Sequence, residues 1–182
     1  MKRKLIMSVL VAVAMGMATG CGGGTDTAKQ ITNEQQSVET QNPESEETEL
    51  VSFDVDWDQC REDLVAELVS DDYPYVQDVY LSVDDETRCI TLTATLDDAT
   101  APEVALDLAD TMIRRTNSLA NMQDTDIAPC GADSYGGIFD TYDCLIGIAP
   151  VSQANNSDQW FVYDAIARGT NQKPELTAGY RS

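Results

Sequence analysis

From Thr25 to Glu49 the chain has almost nothing from which to build a core: Thr, Gln, Asn, Ser, Pro and Glu dominate, and the only large apolar residues are Ile31 and Val38. Such a segment buries too little apolar area to offset its backbone entropy. Residues 21–50 therefore read as Cys21 followed by a disordered tether that opens on Gly22-Gly23-Gly24. Seven acidic residues against Lys29 make the tether self-repelling, and its 29 residues from 22 to 50 give a flexible-chain reach of ~30 Å. Any fold must come from residues 51–182, a length usual for one domain with its own core.

Ahead of the tether, Lys2-Arg3-Lys4 is a cationic start, and Leu5 to Met17 is an uncharged, largely apolar run of thirteen residues. That run suits the central region of a secretory signal and is too short to span a bilayer as a helix. Small residues follow, Ala18-Thr19-Gly20, and then Cys21. Residues 1–20 thus read as a signal peptide. The order of these features resembles the lipobox of bacterial lipoproteins, in which the cysteine sulfur carries diacylglycerol and the chain is cut before it. The resemblance implies lipid attachment at Cys21 and a location on the cell membrane, facing outside the cytoplasm. Two acyl chains hold a protein there essentially permanently, whereas one is marginal. The competing reading of Cys21 is an incidental thiol in an ordinary secreted protein.

Charge narrows the partners. Eleven Lys/Arg against 32 Asp/Glu give −21, and removal of the cationic signal leaves −24, of which −18 falls on residues 51–182. An anionic membrane surface repels such a chain, so lipid must do the anchoring. Nucleic acid is excluded as a partner, because phosphate needs Lys and Arg to neutralise it. The expected partner is an envelope protein or glycan, neutral or cationic. The chain has no histidine, which excludes His-dependent nucleophile pairs and His-ligated metals.

The folded part reads as α+β. Trp57, Cys60, Leu64, Val65 and Leu68 recur at helical spacing after Asp56, a suitable N-cap. Val79, Leu81 and Val83, a turn at Asp84-Asp85-Glu86-Thr87, and Ile90, Leu92, Ala94 and Leu96 alternating with Thr91, Thr93 and Thr95 predict a hairpin with a threonine ladder on one face. Thr100-Ala101-Pro102-Glu103 has the pattern of a capping box, opening a second helix with a stripe from Val104 to Leu119. Ile138–Ala149 and Gln159–Ala167 predict a second hairpin after a polar connection over 121–137. Two α-β-β units follow from this order, and the simplest assembly is a four-stranded antiparallel sheet with both helices on one face and a loose tail over 173–182.

Candidate chemistry is sparse. Besides Cys21 there are Cys60, Cys89, Cys130 and Cys144. Outside the cytoplasm four cysteines allow two disulfides in three connectivities, and buried unpaired thiols are the equal alternative. Parity puts Cys60 and Cys144 toward the core and Cys89 with the threonines, which disfavours a Cys60–Cys89 bridge. Asp54, Asp56 and Asp58 begin like a calcium loop, but Gln59 and Val65 stand where an EF-hand needs Gly and Glu, so no metal site is assigned. No cofactor is implied by any motif. Carboxylate pairs (Asp71-Asp72, Asp84-Asp85, Asp97-Asp98, Asp140 with Asp143) fit turns and strand ends. Around Trp160, either Trp160 and Val162 or Phe161 and Tyr163 must face outward, giving an aromatic patch. The expected role is a non-enzymatic binding or interaction module of the cell envelope; the alternative is a carboxylate-dependent, glycan-directed envelope hydrolase. Cys21→Ser is expected to move the protein from the membrane fraction to the soluble fraction, read by immunoblot of fractionated cells; retention in the membrane would count against lipidation.

Overall fold

A computed structural model describes residues 52–181; the expected signal peptide, Cys21 and the tether lie outside the described residues. Helix α1 (Trp57–Leu68) opens as its sequence predicts, with the Asp56 carboxylate accepting the backbone N–H groups of Asp58 and Gln59 at 3.1 Å each. Its apolar stripe buries Cys60, Leu64 and Leu68. Strands β1 (Val76–Asp84) and β2 (Cys89–Leu96) form the predicted hairpin. In the turn, the Asp84 carboxylate accepts the N–H groups of Glu86 and Thr87, and Arg88 takes a φ of 55° to return the chain.

Helix α2 (Pro102–Gln123) starts one residue later than a capping box requires. Its N-cap is Ala101, without a side-chain cap bond, and the Thr100 hydroxyl is buried with no partner among the described residues. The proline sets this frame: with Ala101 as cap it occupies the first helical position, which its fixed φ and missing N–H suit best. Helix α2 also runs to Gln123, shortening the expected polar connection. The segment predicted as one long third strand divides into a short helix, α3 (Gly137–Thr141), and β3 (Asp143–Pro150). The last strand, β4 (Val162–Ile166), is shorter than expected.

The four strands lie in the order β1-β2-β3-β4, but the sheet is mixed and not antiparallel. Both hairpins pair antiparallel, while β2 and β3 run parallel, Cys89 opposite Asp143 through Leu96 opposite Pro150. The cause is the connection. Helix α2 carries the chain back along the sheet, so β3 starts at the end where β2 started, as in any crossover joining neighbouring strands. The inward residues of α1, α2 and the sheet form one cluster, with Leu64, Leu81, Leu92, Met112, Ile113 and Ile146 among its fully buried members.

Two further segments are tied down by backbone polar groups. Asn117, fully buried on α2, donates from Nδ2 to the Ala128 carbonyl at 3.0 Å and accepts the Ile138 N–H at 3.0 Å. It thereby clamps the connection between α2 and α3. Gly136 passes beside it with φ 90°, where an added Cβ would lie 2.2 Å from Asn117 Nδ2. The expected loose tail is instead held along β4: Leu176 bridges Val162, the Thr177 N–H donates to the Phe161 carbonyl at 2.9 Å, and Tyr180 packs on Phe161 with ring centroids 5.1 Å apart. Removing the Asn117 clamp leaves the buried Ile138 N–H unsatisfied, while the Ala128 carbonyl keeps its bond from the Gly137 N–H. Asn117→Ala is therefore expected to destabilise the protein by ~1–3 kcal/mol, read as a lower denaturant midpoint with an unchanged slope.

Candidate functional site

Among the described residues no helix covers the outward side of the sheet, and the strand register arranges it in rows. Tyr80 lies opposite Thr93, Thr93 opposite Gly147, and Gly147 opposite Tyr163, so one row crosses all four strands. The neighbouring row is Ser82, Thr91, Leu145 and Ala165. The predicted threonine ladder thus exists, and it runs down the middle of the open face. Exposure is high where large side chains stand: 51% for Tyr80, 43% for Leu145 and 64% for Tyr163.

Trp160 completes the face. The chain leaves β3 at Pro150, makes two single-turn 3₁₀ segments at Val151–Gln153 and Ser157–Gln159, and returns to set the indole over Gly147. A Cβ at position 147 would meet Trp160 Cζ3 at 2.4 Å and Cε3 at 2.9 Å, so only glycine leaves room for the ring. The indole N–H donates to the Gln153 carbonyl at 3.1 Å, and Tyr163 packs edge-on against the ring at 5.3 Å. These contacts hold the indole in place on the sheet. Beside it lies a shallow groove of about 190 Å³ lined by Thr91, Thr93, Leu145, Gly147, Trp160 and Tyr163, together with Ile146. The sequence alternatives for the last strand resolve into neither simple parity. Phe161 precedes β4, so Phe161 and Val162 are both buried while Tyr163 is exposed.

The sheet edges are less available than the face. On β1 the Val79 N–H is taken by the Asp78 carboxylate at 3.0 Å and the Leu81 carbonyl by Arg61 Nε at 2.7 Å. On β4 the Asp164 carboxylate accepts the Glu175 N–H at 3.2 Å, adding to the bridge from Leu176. Side chains and the C-terminal segment thus occupy groups that an added strand would need.

Several of the acids singled out in the sequence are engaged locally. Asp56 caps α1, Asp58 pairs with Arg61 at 2.6 Å, and Asp124 accepts the Asp54 N–H. Asp84 holds its turn, and those backbone bonds, from Thr87 first, lower its pKa. Asp97 and Asp98 accept Gln77 Nε2 and the Ser152 N–H. Asp143 is bound by Arg168 at 2.6 Å, which holds its carboxyl below the ordinary range. A larger groove, about 350 Å³, contains Asp107 and Asp110 with Lys173. Burial alone would raise the Asp110 carboxyl, but hydrogen bonds from Arg114 and Tyr135 outweigh it and hold the group ionised. A general acid for glycoside hydrolysis needs the opposite shift.

The four cysteines of the described residues are all free thiols. Cys60 and Cys144 are buried, and Cys89 lies at the end of the threonine face, as parity expects. Burial, reinforced by Asp63 and Asp56, pushes the Cys60 thiol up to about 11. Burial also raises Cys89 and Cys144, so none of these three is poised as a nucleophile at neutral pH. Cys130 donates to the Tyr135 carbonyl at 3.1 Å.

No family model matches the chain, and no curated protein or solved structure matches it either.

The aromatic residues of the face were visible in the sequence, but the role of Gly147 was not. Its only signal was a glycine inside an otherwise apolar strand run, which marks a close approach without saying of what. With Trp57→Phe as background, Gly147→Ala is expected to unseat Trp160, red-shifting its fluorescence and costing ~1–3 kcal/mol of stability. Gly179→Ala, with open space around it, is the control and should change neither.

Proposed function

We propose that this chain is a lipid-anchored, extracytoplasmic binding module of the bacterial cell envelope, and that the open aromatic face of its sheet is the binding surface. The single observation that carries the reading is the row Tyr80–Thr93–Gly147–Tyr163 with Trp160 seated on it. An interaction module needs an exposed, preorganised surface of this kind, in which aromatic side chains give contact area at low entropic cost. A carboxylate-dependent hydrolase gains no comparable support: of its candidate acids, Asp143 is paired with Arg168, Asp84 holds its turn, and Asp110 in the larger groove is held ionised by Arg114 and Tyr135.

The N-terminal anchor and the acidic tether supply the rest of the reading. The cationic start, the apolar run and Cys21 stand in the order of a lipoprotein signal, and the polar segment behind them has the composition of a spacer. A membrane-held domain on such a spacer meets its partner within the envelope at high local concentration, so modest affinity suffices.

Hydroxyl-radical footprinting tests the face directly. Tyr80, Trp160 and Tyr163 are expected to be labelled several-fold more slowly on intact cells than in the purified chain, while the exposed Met122 on α2 is labelled alike in both. Equal labelling of the three aromatics in both settings would refute the assignment of this face as the binding surface.

A further inference from the structure

The binding surface has a composition and size that narrow its ligand. The two central rows contain hydroxyls from Ser82, Thr91 and Thr93 between the tyrosines at either side, and no charged residue. The flanking rows are different. Asp78 stands in the row beyond Tyr80, and Asp84 and Asp143 stand in the row beyond Ser82. An uncharged amphipathic strip is thus bracketed by carboxylates, on a domain that carries −18. A polyanion meets repulsion from both sides.

Size separates the remaining partners. A stable protein interface takes ~800 Å² and about 20–30 residues from each side, and this strip with Trp160 offers a fraction of that. A small molecule is held in a pocket of ~300–1,000 Å³ that encloses most of it, whereas the groove here is about 190 Å³ and open. The strip suits a ligand that is long, lies across the surface and is gripped over a few units only. Strand spacing sets the distance from the Tyr80 backbone to the Tyr163 backbone at ~14 Å.

Resting on the binding-module reading above, we propose that the ligand is an extended, uncharged polysaccharide lying along the Tyr80–Tyr163 row. A sugar ring has a flat face of C–H groups and an equatorial edge of hydroxyls. The faces pack on Tyr163, Tyr80 and the exposed part of Trp160, and the edge exchanges hydrogen bonds with Thr91, Thr93 and Ser82. Trp160 needs no rearrangement, since Gly147 and the Gln153 carbonyl already hold it in place.

The test uses the full chain released by Cys21→Ser, with Trp57→Phe making Trp160 the only tryptophan of the two in the sequence. Cellohexaose and chitohexaose are the neutral probes and polygalacturonate the anionic one. At least one neutral hexasaccharide is expected to shift Trp160 emission saturably with a Kd on the order of 0.1–1 mM. Tyr163→Ala and Tyr80→Ala should each weaken it about tenfold, and Asp71→Ala should leave it unchanged. Polygalacturonate should not bind. If Trp57→Phe fails to fold, protection of Trp160 from hydroxyl radicals in the otherwise unaltered chain replaces the fluorescence readout. The proposal is overturned if neither hexasaccharide binds up to about 10 mM, if the tyrosine variants bind undiminished, or if polygalacturonate binds as well. Should the aromatics nevertheless be protected on intact cells, the binding face stands and only its polysaccharide ligand falls; absence of both effects removes the face as well.

Discussion

The seating of α2 across the middle of the sheet is the interaction on which the other features depend. Its 22 residues span ~33 Å, longer than the ~26 Å of an eight-residue strand, so it returns the chain fully from the end of β2 to the start of β3. That return makes the central pair parallel and leaves each hairpin to supply one outer strand. Leu108, Met112, Ile113 and the clamp at Asn117 lie on its buried side, where they meet the inward residues of the sheet and the start of α3. Burial of Leu108, Met112 and Ile113, at ~1.5–3 kcal/mol each, is of the order of a small domain's whole net stability.

A helix on one side implies an unoccupied side. Parallel pairs usually have both faces covered, because crossovers place helices on each. Here a single crossover lies between the two hairpins, so helices cover one face, and among the described residues only the turns between Pro150 and Trp160 partly cover the other. The open face consequently carries a composition between core and surface: threonines half-buried, Leu145 and two tyrosines exposed, one glycine under an indole. A fully solvated face would not need Trp160 anchored by the Gln153 carbonyl, and a fully buried one would not tolerate the threonine row.

Local chemistry was legible wherever one residue decides the geometry. Asp56 capping α1, Asp84 closing the hairpin turn and the alternation of Ile90, Leu92 and Ala94 with threonines could be read in advance, because each depends on neighbours within four residues or on a period of two. The parallel pairing could not, since it is set by where α2 delivers the chain and not by any residue in β2 or β3. The same holds for the break at Tyr142. Ile138 and Phe139 are as β-prone as the strand that follows, but Gly136 at φ 90° and the hydrogen bond that the Ile138 N–H donates to Asn117 turn them into the first turn of α3. Aromatics near Trp160 announced a patch without fixing its members, because the bend before Val162 puts Phe161 inward and out of step with its neighbours. The expected tail failed as a reading for a similar reason: Leu176 and Thr177 are ordinary residues whose ordering comes from the free edge of β4.

The distribution of acids places charge beside a surface that is itself neutral. On the open face the carboxylates stand two residues along the strands from the uncharged rows, a separation of ~7 Å. This is just inside the ~8 Å Debye length of physiological salt, so their field reaches the strip reduced roughly twofold and not abolished. Arg168 neutralises Asp143, but Asp78 and Asp84 have no such ion pair within the described residues. An anionic chain laid on the tyrosines would meet those two charges at close range in addition to the net charge of the domain, whereas a neutral chain meets only the aromatic and hydroxyl groups. Stacking on Tyr163 or Tyr80 would contribute roughly 1 kcal/mol per ring and each repulsion at that distance a few tenths of a kcal/mol after screening, so on the binding role proposed above the acids bias the choice between ligands that the aromatic groups alone would hold equally well.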